Sequence, residues 1–361
     1  MAVPVVRDGM PLMPTTASRA RRWIKSGEAT PFFRRGLFCV RLNRAPSAEE
    51  RQEIAVGIDP GSCREGYTVK SEAHTFLNIQ AEAVQHVKDA VAVRRNMRHV
   101  RRYRKTPCRA SRPNRTHGVL PPSTKARWQT KLRVVAQLRA IFPITDYVVE
   151  DIQAKTRKGC RKWNRSFSPL EVGKKWFYEQ IARLGRLHLQ SGWDTYTMRL
   201  GLGLHKTKSK LLETFAAHCV DSWVLANWRV GGHVAPDNER VVCVAPVRLH
   251  RRQLHRLQPS KGGVRSPYGS TRSCGFKRGS LVTHPKWGVT YVGGTMAGKI
   301  SLHAVATGKR LTQKAKPTDI TFKSYSAWKM HAGRASCSKA PQPKTRLLPA
   351  LKGGVSAPEI R

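Results

Sequence analysis

The sequence predicts an α/β protein: a sheet with helices packed on it, set between a small N-terminal module and a basic, β-rich C-terminal region. Three observations predict this. Apolar, β-branched runs at 54–58 and 147–149 read as buried strands, and each ends abruptly in acids. Segments of helical spacing follow at 124–141, 169–189 and 207–228. From 276 to 312 short strand-like stretches are broken by Gly288, Gly293, Gly294, Gly298 and Gly308, the pattern of a small antiparallel barrel.

The bulk numbers set the partner class. A chain of 361 residues can bury a core and hold two or three domains. Lys and Arg total 67 against 22 acids, a formal charge of +45, and that excess calls for a polyanion. No apolar run approaches about 18 residues and no N-terminal signal pattern is evident, so the expected polyanion is nucleic acid rather than a membrane surface. The eight cysteines (39, 63, 108, 160, 219, 243, 274, 337) never fall in Cys-x-x-Cys spacing. That spacing argues against a local structural zinc motif, leaves a scattered site open, and suits a reducing cytosol.

Taken in order, Val3-Pro4-Val5-Val6 is a short strand and Asp8-Gly9 a turn. Thr15, Thr16 or Ser18 can cap a helix over 17–26 that Gly27 closes. Residues 28–44 read as one or two strands with Arg34, Arg35, Arg41 and Arg44 on a basic face, completing a ββαβ-like module. A merely solvated basic surface is the competing explanation for that face. After the Asp59-Pro60-Gly61-Ser62 turn, 66–69 and 75–79 continue a meander, and a helix is expected over about 81–105. It holds Arg94, Arg95, Arg98, Arg101, Arg102, Arg104 and Lys105, spread over more than one face. Charge that dense repels itself unless phosphates lie around it. A proline-marked loop at 107–123 and a basic loop at 154–168 with Trp163 and Phe167 flank the second strand. In the helix before that strand, Trp128, Leu132, Val135 and Leu138 face inward and Lys131, among other cations, outward. A strand is expected at 193–198. From 240 onward only Asp319 and Glu359 are acidic against 24 Lys and Arg, with Arg251 and Arg252 in a basic patch and a tail from Pro341 poor in apolar anchors.

The acids carry the chemistry. A strand interior should not end in an unpaired carboxylate, because an unpartnered buried charge costs several kcal/mol. Asp59 and Glu150 would lie at neighbouring strand ends, and Asp221 would reach them from a helix packed on the sheet. Phosphodiester hydrolysis by two divalent cations needs such carboxylates converging from separate elements. His218, three residues before Asp221, falls on the same helical face, placed to position or deprotonate water. Asp151 should point to the sheet's other face. Taken singly, each acid could instead cap a turn or pair with an Arg, and His218 could be a satisfied core residue.

Several stretches resemble the transposon-encoded IscB and IsrB proteins. Pro11-Leu12-Met13-Pro14 resembles their N-terminal PLMP motif, Val56-Gly57-Ile58-Asp59-Pro60-Gly61-Ser62 their RuvC-I motif, and 94–105 their arginine-rich bridge helix. Val149-Glu150 resembles RuvC-II, and His218-Cys219-Val220-Asp221 RuvC-III. The resemblance implies an RNase H-like (RuvC) mixed sheet with packed helices and a nuclease directed by a structured, omega-type guide RNA. Its site would be Asp59, Glu150, His218 and Asp221, with two Mg²⁺, or Mn²⁺, on the three carboxylates. Glu150 and Asp221 stand 71 residues apart without a zinc or His-Asn-His pattern between them, so the chain looks like the IsrB group, which lacks the HNH nuclease and should nick.

The implied division is a PLMP module at 1–52, RuvC-I at 53–80, the bridge helix at 81–108, RuvC-II and RuvC-III at 109–232, and a region binding guide RNA and target motif at 233–361. Guide RNA would pair with the target strand of duplex DNA while RuvC cuts the displaced strand. The expected state is a monomeric ribonucleoprotein in the prokaryotic cytoplasm, at the nucleoid. Two rivals remain: a non-catalytic structured-RNA-binding protein, which explains the charge but not acids ending two strands, and a RuvC-type junction resolvase, which should be smaller and lack the flanking modules.

Overall fold

The structure, a computed structural model, describes residues 2–45, 51–105, 120, 122–154, 169–246, 272–305, 307–325 and 328–333. The expected loops, at 107–119 and 155–168, Arg251 and Arg252, and residues from 334 on lie outside the described residues.

The N-terminal module is a four-stranded sheet, β1 (Val3–Arg7), β2 (Met10–Thr15), β3 (Ala29–Arg34) and β4 (Leu37–Leu42), in the order β2-β1-β4-β3. Asp8 and Gly9 both take positive φ (48° and 80°) between the paired Arg7 and Met10, the requirement of a two-residue hairpin loop. The Pro-Leu-Met-Pro stretch lies in strand β2, at the sheet edge, where prolines are tolerated because only one side of the strand is paired. Thr16 caps α1 (Ala17–Lys25) through the Arg19 N–H, and Ala20, Trp23 and Ile24 pack on Val3, Val5, Ala29, Val40 and Leu42.

The central sheet has seven strands: β5 (Ile54–Asp59), β6 (Arg64–Ser71), β7 (Thr75–Glu82), β8 (Asp146–Asp151), β9 (Arg186–Ser191), β10 (Val241–Pro246) and the distant β18 (Trp328–Ala332). Strands β5, β6 and β7 form the expected antiparallel meander, while β8 runs parallel to β5 and β9 parallel to β8. The spatial order β7-β6-β5-β8-β9 with those senses is the RNase H-like arrangement. On one face, α3 (Pro122–Arg139) and α4 (Pro169–Ala182) bury Trp128, Val135, Leu138, Phe177 and Ile181 against Val56, Ile58, Tyr67, Val69, Tyr147 and Val149. Helix α7 (Val220–Val230) covers the opposite face.

The structure corrects several expectations. Helix α2 (His86–Tyr103) begins later than residue 81 because β7 continues to Glu82. The helix expected to 189 stops at Ala182, and 186–191 is the strand β9, buried on neither side as deeply as β8. Residues 193–198 are helical, within α5 (Gly192–Gly201), because Ser191 and Asp194 form a reciprocal capping box. The helix expected over 207–228 is two pieces, α6 (Phe215–His218) and α7, broken at Cys219, and 207–214 is non-helical. Lys131 points inward: its Nζ pairs with the buried Glu65 carboxylate, which also accepts from Tyr67 Oη at 2.5 Å.

Beyond residue 232 the chain still contributes two strands to the central sheet. β10 pairs in parallel with β7, and β18 antiparallel with β10, so the boundary drawn at 232/233 cuts a continuous sheet. Between them lie a two-stranded ribbon, β11 (Arg272–Ser273) and β12 (Phe276–Lys277), and the strands β13 (Ser280–His284), β14 (Gly288–Met296), β15 (Lys299–Ala304), β16 (Arg310–Ala315) and β17 (Thr321–Tyr325). These five form an antiparallel sheet in the order β16-β15-β14-β13-β17 around Val282, Val292, Ile300 and Leu302. Instead of the expected closed barrel, the outer strands β16 and β17 are unpaired with each other among the described residues.

Candidate active site

Asp59 ends β5 and Glu150 lies near the end of β8, and the pairing of Ile58 with Val149 sets them side by side. Alternation puts Gly57, Asp59, Val148 and Glu150 on the α7 face, and Val56, Ile58, Tyr147 and Val149 on the α3/α4 face. Asp151 accordingly points the other way, accepting from Lys174 Nζ at 2.6 Å and Tyr178 Oη at 2.8 Å.

Two glycines let the third acid approach. A Cβ on Gly57 would lie 1.8 Å from the Ser222 carbonyl oxygen, and one on Gly66 would lie 2.0 Å from that of His218. With no side chain at 57 or 66, the start of α7 rests directly on β5 and β6, and Asp221 in its first turn reaches the strand ends. Carboxylate oxygens of Asp59, Glu150 and Asp221 all fall within 4.8 Å of one another.

The electrostatics show what this cluster lacks. Burial, then the charges of Asp59 and Asp221, raises the Glu150 carboxyl to about 7. Burial also raises Asp59, with Lys206 opposing and Asp221 reinforcing the shift. Lys206 Nζ lies 3.2 Å from Asp59 Oδ2 and pairs with Asp221 Oδ2, and Arg199 holds the other Asp221 oxygen. Burial alone would lower the Lys206 ammonium, but Asp59 and Asp221 outweigh it and hold its pKa up. Three desolvated carboxylates facing only the Lys206 ammonium and the Arg199 guanidinium remain short of positive charge. Their all-oxygen donor set fits a hard divalent cation such as Mg²⁺ or Mn²⁺.

His218 stands outside the carboxylate cluster, with Nε2 donating to the Lys210 carbonyl at 3.0 Å. Burial first, then the charges of Arg64, Lys210 and Lys206, lowers its pKa against that hydrogen bond. A neutral imidazole with Nε2 engaged retains Nδ1 as an acceptor. The break at Cys219 means that three-residue spacing does not by itself place His218 and Asp221 on one helical face.

Sequence reasoning missed Arg199 and Lys206, which residue type alone could not single out among 67 cations. It also missed the exposed pair Trp193 and Tyr196 on α5, their rings 5.8 Å apart, with Arg199 over Tyr196 at 5.3 Å. The Ser191/Asp194 spacing was the available signal for that helix. On α2, Arg94, Arg95, Arg98, Arg101 and Arg102 are exposed, as are Arg104 and Lys105 just past its end, while Val87 anchors the helix's start. Val93, Met97 and Val100 add an exposed apolar row that the charge count had hidden. No described helix is long and apolar enough to cross a membrane.

Among solved structures the chain is similar to T. thermophilus RuvC in complex with Holliday junction substrate, at 12% identity over 50% of this chain and 97% of that one, with a TM-score of 0.27. It is also similar to the yeast mitochondrial Holliday junction resolvase Ydc2, at 14% identity over 50% of this chain and 78% of that one, with a TM-score of 0.25. No curated relative matches the chain. Residues 3–162, the span that supplies Asp59 and Glu150, match the family described as RRXRR protein.

Proposed function

We propose that the chain is a RuvC-type, metal-dependent DNA endonuclease that works as a guide-RNA-directed nickase of the IsrB kind. The observation carrying this is the convergence of Asp59, Glu150 and Asp221 at the strand ends of an RNase H-like sheet. The RRXRR match and the resemblance to IscB and IsrB proteins support it, as does the charge of +45.

In this proposal Asp59, Glu150 and Asp221 hold two divalent cations, which when bound supply water activation and leaving-oxygen stabilisation. Arg199 keeps Asp221 oriented, and Lys206 occupies the cluster as a counter-ion until cations take its place. His218, through Nδ1, positions the attacking water, and His218→Ala should slow cutting by about 10²-fold. The arginines of α2 grip guide-RNA phosphates, and the guide, not the protein, reads the target sequence. With no HNH pattern between Glu150 and Asp221, only the displaced strand is cut.

The experiment is to sequence RNA copurified with the chain and to assay duplex cutting with that RNA in Mg²⁺. Asp59→Asn, Glu150→Gln and Asp221→Asn should each abolish cutting while RNA binding persists. A variant that cuts at near wild-type rate would remove its residue from the site.

A further inference from the structure

A second set of metal-type donors lies outside the carboxylate cluster. Donor atoms of Glu213, Cys243 and His331 all fall within 4.8 Å of one another, although the residues come from three distant parts of the chain. Strand register fixes two of them. Cys243 on β10 stands directly opposite His331 on β18, and such cross-strand partners project from one face with Cβ atoms about 4.5 to 5.5 Å apart. Glu213 arrives from the segment entering α6. That segment passes so close that a Cβ on Gly333 would lie 2.5 Å from the Glu213 carbonyl oxygen, and His331 Nε2 lies 3.2 Å from Glu213 Oε2.

Two groups here have no hydrogen-bond partner. Cys243 is a free thiol, 4% exposed, with no bond of its own among the described residues. Nδ1 of His331 is buried and likewise unpartnered among them. A buried imidazole nitrogen left without a partner is unfavourable, and beside a free thiol and a carboxylate it points to a common occupant.

We propose that Glu213, Cys243 and His331 bind a zinc-class divalent cation that ties β10 and β18 to the segment leading into α6 and α7. Thiolate sulfur, imidazole nitrogen and carboxylate oxygen form a donor set for zinc rather than for magnesium. Tetrahedral bonds of about 2.0 to 2.3 Å place donors roughly 3.4 to 3.8 Å apart, so the ligands need to move only slightly. The thiol gives up its proton on binding, and thiolate and carboxylate together neutralise the dication. Water takes the fourth position. The tie reinforces a segment already held from β6, where Arg64 Nη1 donates to the Leu211 and Leu212 carbonyls at 3.0 and 3.2 Å.

The test is zinc content and Co²⁺ spectroscopy on the full chain, desalted after loading with either metal. We expect about one zinc per chain, retained in an Asp59→Asn/Asp221→Asn double variant and lost in Cys243→Ser. Co²⁺ should show a thiolate charge-transfer band that Cys243→Ser abolishes. Should that variant fail to fold, His331→Gln keeps the thiol and should weaken Co²⁺ binding at least about tenfold. Less than about 0.1 zinc per wild-type chain, or equal retention by Cys243→Ser and His331→Gln, would overturn the proposal and leave Cys243 a core thiol beside an ion pair.

Discussion

Replacing Gly57 by Ala adds one methyl group at the point where α7 rests on β5, and the site depends on that contact. The new Cβ would sit 1.8 Å from the Ser222 carbonyl oxygen and 2.8 Å from the Ala226 nitrogen, both backbone atoms that cannot rotate away. Ordinary contact begins near 3.4 Å, so the helix must lift by roughly 1.5 Å or the strand must bow by a similar amount. Either movement carries Asp221, one residue before Ser222, away from Asp59 and Glu150. Overpacking of this kind costs about 1 to 3 kcal/mol, which in a domain of this size lowers Tm by about 2 to 10 °C. The functional cost is larger. Mg²⁺ demands oxygen distances near 2.0 to 2.1 Å, and an error of about 1 Å in placing a catalytic group costs on the order of 10²-fold in rate. The assay pairs thermal unfolding with Mn²⁺ titration and duplex cutting. Gly201→Ala is the control, because nothing lies within 4 Å of its Cβ and Ala there suits the end of α5. If Gly57→Ala bound Mn²⁺ and cut DNA as wild type does, close seating of α7 on β5 would not be what assembles the cluster.

Three other perturbations probe different parts of the account. Asp146 is fully buried among Arg186, His188 and Arg229; burial raises its pKa, but hydrogen bonds from Arg186, Thr145, His188 and Arg229 outweigh that and hold it well below the usual carboxylate range. A depressed acid stabilises the fold above its unfolded pKa of about 4 and loses that contribution as pH falls further, so Asp146→Asn should cost about 3 kcal/mol at neutral pH and flatten the acid limb of stability; a variant with the wild-type acid limb would contradict this. Replacing Arg94, Arg98, Arg101 and Arg102 by Ala should weaken guide-RNA binding and reduce its log-log salt slope by roughly 0.7 to 0.9 per lost phosphate contact, whereas identical slopes would make α2 only a solvated basic surface. Trp193, exposed on α5 near the cluster, should stack a base of the strand being cut; Trp193→Ala should weaken single-strand binding by about 1 to 3 kcal/mol, and unchanged affinity would dismiss that path.

The three acids were legible because each ends or begins an apolar run, and a lone carboxylate in such a setting needs a chemical reason. The meander and the two parallel strands were legible for a similar cause: buried central strands are continuous β-branched runs. Strand β9 was not, since Arg186, His188 and Gln190 make its alternation polar and the preceding helix masks its start. The roles of Arg199 and Lys206 are set by tertiary placement alone. The same holds for β10 and β18, paired across more than eighty residues of sequence, and hence for the Cys243–His331 juxtaposition, which no local spacing could announce. Lys131 shows the converse, a charge assigned outward by type that the buried Glu65 draws inward.

The most direct test of the central claim is cutting of a duplex labelled separately at each strand end, by the chain with its copurified RNA in Mg²⁺. A single nick in the strand that does not pair with the guide, absent without Mg²⁺ or with Asp221→Asn, is the expected result. Cleavage of both strands alike, or of one strand in the Asp221→Asn variant, would contradict it.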